Sequence, residues 1–172
     1  RRASSLAGGV GIGMGCNLAL SRASGYENIP NAPSAIASNS AAMVSTWNHG
    51  IPANESGFQV LSNGGTALDM IEAGARTVEA DASGQSVGLG GLPDRDGHVT
   101  LDACIMDELQ NAGSVCFVQD VAHPISLARS VMENTPHVML AGAGAEQYAR
   151  ELQMPKTPML TAASKEAWEK WR

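Results

Sequence analysis

Cysteine and aromatic residues are scarce in this sequence. Its 172 residues include three cysteines, and only 4% are phenylalanine, tyrosine or tryptophan. Three cysteines do not make a disulfide framework, and no Cys-x-x-Cys or His-x-x-x-His spacing predicts a zinc site. A single domain of this length must therefore build its core from small and aliphatic side chains.

Clusters of positive charge and long apolar runs are missing too. Eleven lysines and arginines stand against 17 acidic residues, which gives a net charge of −6. This balance argues against nucleic acid or an anionic membrane surface as a partner. Beyond residue 37 no apolar stretch reaches the roughly 18 residues of a membrane-spanning helix, so no membrane anchor is expected.

Residues 1–37 have the pattern of an export signal followed by a linker. Arg1 and Arg2 precede a weakly apolar, glycine-rich run, and "SAIA" offers an Ala-x-Ala cleavage site after Ala37. Paired arginines of this kind resemble the twin-arginine signal, which predicts a periplasmic or extracellular protein. The alternative is a phosphate loop at "GGVGIGMG", but that motif needs a preceding strand and a following helix.

Hydrophobic periodicity over residues 38–172 predicts a layered α/β (α+β) domain whose sheet is incomplete. The predicted strands are 41–47, 98–106, 114–119 and 137–140. "NHGIPAN" (48–54) is predicted to be a loop. The predicted helices are 55–61, 66–78, 123–136, a helix through Tyr148 and Leu152, and 164–172.

Several local signals support these elements. The glycines of "NGG" (63–65) are predicted to end the first helix, and Thr66 with Asp69 has the spacing of a capping box for the second. Pro124 suits a first helical turn. Residues expected to share one buried face are Leu68, Ile71, Ala75 and Val78 in the helix, and Val99, Leu101, Ala103 and Ile105 in the strand.

The two central strands are predicted to form a β-hairpin centred near Gln110. That register would set Cys104 roughly opposite Cys116. We expect both to remain thiols, because a directly cross-strand disulfide is geometrically tight. Neither cysteine is placed like a catalytic nucleophile.

The segment "VGLGGLPDRDGHVTLDACIMDE" (87–108) carries five acidic residues: Asp94, Asp96, Asp102, Asp107 and Glu108. An EF-hand loop would need a third ligand and a glutamate at position 12, and this segment has neither. The Pro-Asp-Arg-Asp-Gly stretch matches turn chemistry, in which aspartate side chains accept nearby backbone N–H groups. A cation site is the weaker hypothesis, and we predict structural carboxylates and no metal.

Two other patterns could carry chemistry. "LAGAGAEQYA" has the strand, Gly-x-Gly and helix order of a dinucleotide fold but lacks the third glycine, where Gln147 stands, and the later acidic residue. The four histidines are scattered in predicted turns and element starts, where ordinary surface or capping roles are favoured. No cofactor is predicted.

The motifs "STWNHG", "VGLGGLPDRDGHVTLDACIMDE", "GSV" and "HPISLARSVMENTPHVML" occur in this order between Val44 and Trp171. Together they resemble the glycosylasparaginase (aspartylglucosaminidase) family of N-terminal nucleophile hydrolases. The resemblance implies a four-layer αββα sandwich, of which residues 38–172 would be the α-subunit half. It also implies a β-subunit partner produced by self-cleavage, and an αβ heterotetramer.

The implied activity is hydrolysis of the N4-(β-N-acetylglucosaminyl)-L-asparagine bond. In the family the chain cuts itself before the threonine of a His-Asp-Thr sequence, and that threonine becomes the nucleophile. These 172 residues contain no His-Asp-Thr sequence, so the resemblance places no catalytic residue in this chain, and we expect the chain alone to be inactive. The alternatives are a plant-type L-asparaginase or isoaspartyl peptidase fragment, and a non-catalytic remnant.

One substrate-binding residue is implied by the resemblance. Trp47 in "STWNHG" matches the family's pocket tryptophan, whereas the residues alone would favour a packed core aromatic at a strand end. His49 replaces a residue that is often aromatic in the family. The "VGLGG" segment (87–91) matches a glycine-rich family segment, for which we expect close packing near the site.

Overall fold

The computed structural model describes residues 41–172, and Ala42–Arg172 form one compact unit. The export signal predicted over residues 1–37 lies outside the described residues. The helices are α1 (Gly50–Ser62), α2 (Ala67–Glu79), α3 (Pro124–Asn134), α4 (Gly142–Glu151) and α5 (Ala162–Trp171). The strands are β1 (Leu101–Met106), β2 (Ala112–Val118) and β3 (Met139–Ala141). This mixture confirms the predicted α+β class.

Helix α1 begins earlier than predicted, because residues 50–54 are helical and not a loop. Pro52 lies in the first turn, where a missing N–H breaks no intrahelical hydrogen bond. The predicted end of the helix is confirmed: Gly64 follows the C-cap with φ +91°, a left-handed conformation that favours glycine.

The predicted capping box of α2 is confirmed. The Thr66 hydroxyl accepts the Asp69 N–H at 3.2 Å, and the Asp69 carboxylate accepts the Thr66 N–H at 2.8 Å. The hydrogen bond from the Thr66 N–H, followed by the one from Arg129, lowers the pKa of Asp69 to about 2. The capping signal was readable because every bond in it is local.

The buried face of α2 is only partly as predicted. Leu68 and Ala75 pack against the main hydrophobic core, but Ile71 is exposed. The fully buried positions are Met70, Gly74 and Glu79. The difference arises because α2 packs against α1 on one side and against the core on another.

The strand predicted over residues 41–47 is wrong. This segment has no strand partner within residues 41–172, and Trp47 at its end has a left-handed φ of +66°. Met43 instead packs over Gly57 and Gly74 of the helix pair, where added Cβ atoms would lie 2.9 and 2.7 Å from its side chain. An apolar, β-branched run forms a strand only when a neighbouring strand accepts its hydrogen bonds.

The predicted hairpin is confirmed, with β1 antiparallel to β2 and Gln110 in its turn. Val99, Leu101 and Ile105 are buried on one face, as the alternation predicts. The register is not as predicted, because Cys104 pairs with Ser114 and not with Cys116.

A local hydrogen-bond pattern explains the register difference. The Asp107 N–H donates to the Asn111 carbonyl at 3.0 Å. The predicted register would set Asp107 opposite Gly113, so the observed turn is two residues shorter than expected. Cys104 and Cys116 are both free in the structure.

The remaining elements complete a sheet of order β1-β2-β3 within the described residues. Helix α3 begins at Pro124 as predicted and covers β1 and β2, and β3 then pairs parallel to β2. Helix α4 lies beside α3, where the Tyr148 and Ser130 hydroxyls are 2.9 Å apart. One helical layer therefore covers one sheet face, as expected for half of a layered sandwich.

Helix α5 confirms the predicted C-terminal helix. Its N-cap Thr161 accepts the Ser164 N–H, and Trp168 Nε1 donates to the Arg95 carbonyl at 3.2 Å. None of the helices described between residues 41 and 172 combines the length and apolar character needed to cross a membrane.

Candidate functional site

A cleft of about 490 Å³ lies between the segment before α1, the α1–α2 pair and the edge strand β1. Its wall is mostly apolar, with a few polar groups, which is typical of a small-molecule site. The polar side chains in the wall are Ser45, Thr46, His49, Glu79, Asp102 and Cys104.

Trp47 lies next to this cleft in sequence, and its side chain is 80% exposed. The flanking residues Thr46 and His49 contribute to the wall, whereas Trp47 does not within the described unit. The Trp47 carbonyl accepts the Gly50 N–H at 3.1 Å, which joins its turn to α1. The substrate-binding role of Trp47 stays a prediction, and its indole is not packed into the core of residues 41–172.

His49 occupies the N-cap position of α1 without capping it through its side chain. Its imidazole lines the cleft, where the family resemblance leads us to expect an aromatic ring. An imidazole is flat like a phenyl ring but also carries a donor and an acceptor nitrogen. The side of the cleft near α1 is therefore more polar than a phenyl ring would make it.

The glycine-rich segment 87–91 packs closely beside the cleft, as predicted. Gly88 has φ +62°, and a Cβ there would lie 2.2 Å from the Glu79 carbonyl oxygen. The Leu89 N–H donates to that carbonyl at 2.8 Å, and the Gly90 N–H donates to the Met159 carbonyl at 2.9 Å. A side chain at position 88 would prevent this approach.

Glu79 is a residue that sequence reasoning missed. It is only 4% exposed, at the end of α2, and its side chain reaches α3. Carboxylate Oε1 accepts the Ile125 N–H at 2.9 Å, and Oε2 lies 3.2 Å from His123 Nδ1. The sequence offered little signal: Glu79 follows Ala75 by four residues on α2, but an acidic residue at a helix end is usually solvated.

The electrostatics of this pair follow from its burial. Desolvation raises the pKa of Glu79 to about 7, against the opposing effects of the Ile125 N–H and of Arg76. Burial, followed by the nearby positive charge of Arg76, lowers the pKa of His123. Both groups therefore favour their neutral forms, and one proton can bridge them.

The acidic residues of segment 87–108 are dispersed over turns and a bulge. Asp94 accepts the N–H groups of Asp96 and His98, both at 2.9 Å, which confirms the predicted turn. Hydrogen bonding from the His98 backbone is the largest cause of the lowered pKa of Asp94. Asp107 accepts the N–H groups of Leu109 and Asn111, again both at 2.9 Å.

Asp102 has a different structural role. Its carboxylate accepts the N–H of Phe117 at 2.7 Å, where β2 departs from regular pairing and Phe117 has φ +52°. Throughout residues 41–172, no three His, Cys, Asp or Glu side chains are grouped to hold a metal ion. Asp94, Asp102 and Asp107 thus bind backbone N–H groups, whereas Asp96 pairs with the Arg95 side chain.

Two further sequence patterns take ordinary structural places. "GQSVG" (84–88) has the Gly-x-Ser-x-Gly spacing of a serine-hydrolase nucleophile, which requires a strand before it and a helix after it. Here it lies in the irregular segment between α2 and β1, so the spacing does not indicate a nucleophile at Ser86. "LAGAGAEQYA" forms the end of β3 and the start of α4, the predicted strand and helix.

Comparison with known proteins covers most of this unit. The family model described as asparaginase (Asparaginase_2) matches residues 35–172. The chain is 54% identical over 129 residues to N(4)-(Beta-N-acetylglucosaminyl)-L-asparaginase of Elizabethkingia miricola, a match covering 75% of this chain and 38% of that relative. It is 39% identical over 118 residues to isoaspartyl peptidase/L-asparaginase of Rattus norvegicus, covering 66% and 35%.

A mammalian glycosylasparaginase also matches. N(4)-(beta-N-acetylglucosaminyl)-L-asparaginase of Mus musculus is 34% identical over 130 residues, covering 75% of this chain and 37% of that relative. The chain thus spans well under half the length of these curated relatives. Its fold, its motifs between Val44 and Trp171 and the match over residues 35–172 agree: the chain belongs to the asparaginase family Asparaginase_2.

Proposed function

We propose that this chain is the α-subunit part of an amidohydrolase that cleaves the N4-(β-N-acetylglucosaminyl)-L-asparagine bond. The observation that carries the proposal is the 54% identity over 129 residues to the Elizabethkingia miricola glycosylasparaginase. Identity to the rat isoaspartyl peptidase/L-asparaginase is lower, at 39% over 118 residues.

The reaction requires a nucleophile from outside these 172 residues, which contain no His-Asp-Thr sequence. In the proposed mechanism, self-cleavage frees the α-amino group of a threonine, and this amine is the base that activates the threonine hydroxyl. The hydroxyl attacks the side-chain amide carbonyl of the substrate while its proton passes to the threonine amine. The threonine amine then gives this proton to the amide nitrogen, the C–N bond breaks, the glycosylamine leaves, and a β-aspartyl ester forms. Water then hydrolyses the ester and releases aspartate.

This chain would supply one wall of the active site. The cleft beside α1 has the volume and the mixed lining of a small-molecule site. Trp47 lies at its margin, where an exposed indole can form a rigid wall once the rest of the protein is present. The amide to be cleaved would lie between this wall and the threonine hydroxyl.

The proposed partner is the β-subunit released by self-cleavage, within an αβ heterotetramer. The sheet face opposite α3 exposes the apolar side chains of Met106, Phe117 and Met139. A second sheet packed on this face would cover them and produce the two central layers of an αββα sandwich.

The alternative function is hydrolysis of β-aspartyl dipeptides or free asparagine, which the rat relative's name describes. The two activities are separated by giving the complete protein three substrates: glycoasparagine, a β-aspartyl dipeptide and asparagine. The proposal expects a kcat/KM for glycoasparagine at least tenfold above the others. A reversed order would favour the alternative, and no aspartate release from any of them would contradict both.

Self-processing is measured in the same preparations. Electrophoresis should show two fragments, and N-terminal sequencing of the one outside this chain should begin with threonine. A fully active, uncut polypeptide would contradict the proposed mechanism.

We also propose that residues 1–37 direct export through the twin-arginine route. Their supporting features are Arg1, Arg2 and the Ala-x-Ala site ending at Ala37. Replacing both arginines by lysine should retain the protein in the cytoplasm, as fractionation and immunoblotting would show. Unchanged export would contradict this route.

A further inference from the structure

Glu79 links three parts of the structure: the end of α2, the glycine-rich segment 87–91 and the first turn of α3. Its backbone carbonyl accepts the Leu89 N–H at 2.8 Å, which fastens the glycine-rich segment to the end of α2. Its side chain accepts the Ile125 N–H at 2.9 Å in the first turn of α3. Glu79 and Ile125 are themselves in the wall of the cleft.

The buried position of this carboxyl makes its protonation state consequential. An ionised carboxylate in an apolar setting loses hydration that the single hydrogen bond from the Ile125 N–H replaces only in part. His123 Nδ1, 3.2 Å from Oε2, offers one further partner, and its side chain is half-buried as well. In the closed structure α3 covers the Glu79 carboxyl, whereas in an open arrangement water would reach it. Ionisation of the carboxyl therefore favours the open arrangement, because a charged group gains the most free energy from hydration.

We propose that Glu79 is a positioning residue: its neutral side chain holds α3 to the end of α2, whose Glu79 carbonyl binds segment 87–91, and ionisation of the side chain loosens this end of α2 from both. The positioning role of Glu79 is argued from these contacts and does not depend on the proposed function. The effect of this role on turnover rests on the proposed amidohydrolase function.

The other charged and titratable groups near Glu79 either have hydrogen-bonding partners or line the cleft. On α2, Glu72 and Arg76 both bind the Ser126 hydroxyl, and Glu72 also pairs with Arg129 of α3. Asp102 of β1 and His49 before α1 line the same cleft. Asp81, in the turn after α2, is exposed and bound to Ser83.

The direction of the pH effect follows from the two pKa shifts. The pKa of Glu79 is raised from 4.5 to about 7 in the closed structure, so the closed form holds its proton more tightly than the open form. The stabilisation of the closed structure by the neutral Glu79 side chain is complete below about pH 4.5 and is lost as the pH rises to about 7. The lowered pKa of His123 acts in the opposite direction below pH 6.5, so a comparison of Glu79 variants is needed to isolate the carboxyl.

Hydrogen exchange on the complete protein tests the inference without any substrate. Protection of the Ile125 and Leu89 amides is measured from pH 5 to 8, corrected for intrinsic exchange, in the wild type and in Glu79→Gln. Glutamine has the same shape and retains an acceptor for the Ile125 N–H but cannot ionise. Glu55→Gln is the matched control, since Glu55 is exposed on the neighbouring helix α1.

The wild-type protection, divided by that of Glu79→Gln, should fall by tenfold or more between pH 5 and 7 and then level off. Protection in Glu55→Gln should follow the wild type. A ratio that stays constant within twofold, or the same change in Glu55→Gln, would overturn the proposal. If Glu79→Gln does not fold, carbon-13 titration of the wild-type carboxyl decides, because a midpoint below pH 5 is incompatible with it.

Turnover provides a separate reading. If glycoasparagine is a substrate, the wild-type kcat/KM divided by that of Glu79→Gln should fall over the same pH range. Exchange that follows the prediction without any turnover would contradict the proposed function and leave the positioning role intact. If glycoasparagine is turned over but the ratio of the wild-type kcat/KM to that of Glu79→Gln does not change with pH, the proposed effect of Glu79 on catalysis is contradicted.

Discussion

The two faces of the three-stranded sheet differ sharply. On one face, Val115 and Val118 of β2 are buried beneath Leu127 of α3 and its neighbours. The opposite face carries Met106, Phe117 and Met139, which are exposed within residues 41–172. An antiparallel sheet with one solvated face usually alternates apolar and polar side chains. Apolar residues on both faces are therefore what the proposed four-layer sandwich predicts, because in it the open face has its own packing partner.

The largest expected difference between the faces is in stability. Leu127 has 0% exposure, so Leu127→Ala should lower the free energy of unfolding by about 2–5 kcal/mol through lost burial and the cavity left behind. Met106 is 64% exposed on the open face. In this chain alone, Met106→Ala should therefore change the free energy of unfolding by less than about 0.5 kcal/mol. Denaturant titration measures both.

The same Met106→Ala substitution in the complete protein sharpens the comparison. If another layer covers the open face, its cost should rise well above that in this chain alone, because the methionine then loses buried contacts. An equal, small cost in both would contradict a covered face.

Substitution of Trp47, next to the cleft, should affect activity much more than stability. If Trp47 has the proposed pocket role, Trp47→Ala in the complete protein removes a wall of the site, and about 1 Å of substrate misplacement can cost roughly 100-fold in rate. Its indole is 80% exposed within residues 41–172 and lies outside their core, so the melting temperature should change little. Trp171→Ala is the matched control, with 70% exposure outside the cleft.

Turnover per folded, processed molecule and the melting temperature are the two measurements for Trp47. Normal turnover with a large fall in melting temperature would mean that Trp47 is a packing residue in the complete protein. An equal loss of turnover in Trp171→Ala would contradict a specific role for the cleft margin.

A smaller effect is expected where the open face meets the bulge in β2. Asp102→Ala removes the acceptor for the Phe117 N–H and should lower the free energy of unfolding by about 1 kcal/mol. Asp102→Asn retains an oxygen in the same place and should recover most of this loss. If alanine and asparagine behave alike, the hydrogen bond does not stabilise the bulge.

The smallest expected effect concerns the two cysteines on the open face. Cys104 pairs with Ser114, and Cys116 lies farther along β2, so neither has a cross-strand cysteine. Mass spectrometry of the protein purified without reductant should show both as thiols. A two-hydrogen mass deficit joining their peptides would contradict the register.

Local sequence by itself determined the start of α2, the turn at Asp94, the alternation of β1 and the first turn of α3. In the cap and the turn the stabilising groups lie within a few residues of one another, as when Thr66 and Asp69 cap each other, and in β1 the period of two is itself local. The family was also readable, because several motifs occur in a fixed order. The pocket role of Trp47 remains a prediction drawn from that resemblance.

Only the tertiary structure decided the unpaired path of residues 41–47 and the burial of Glu79. The apolar run at 41–47 packs over the α1–α2 pair. Glu79 meets the Ile125 N–H across 46 positions of sequence. Contacts at such separations depend on how whole elements pack, so an acid that looks like a solvated helix end in the sequence becomes a buried anchor beside the cleft.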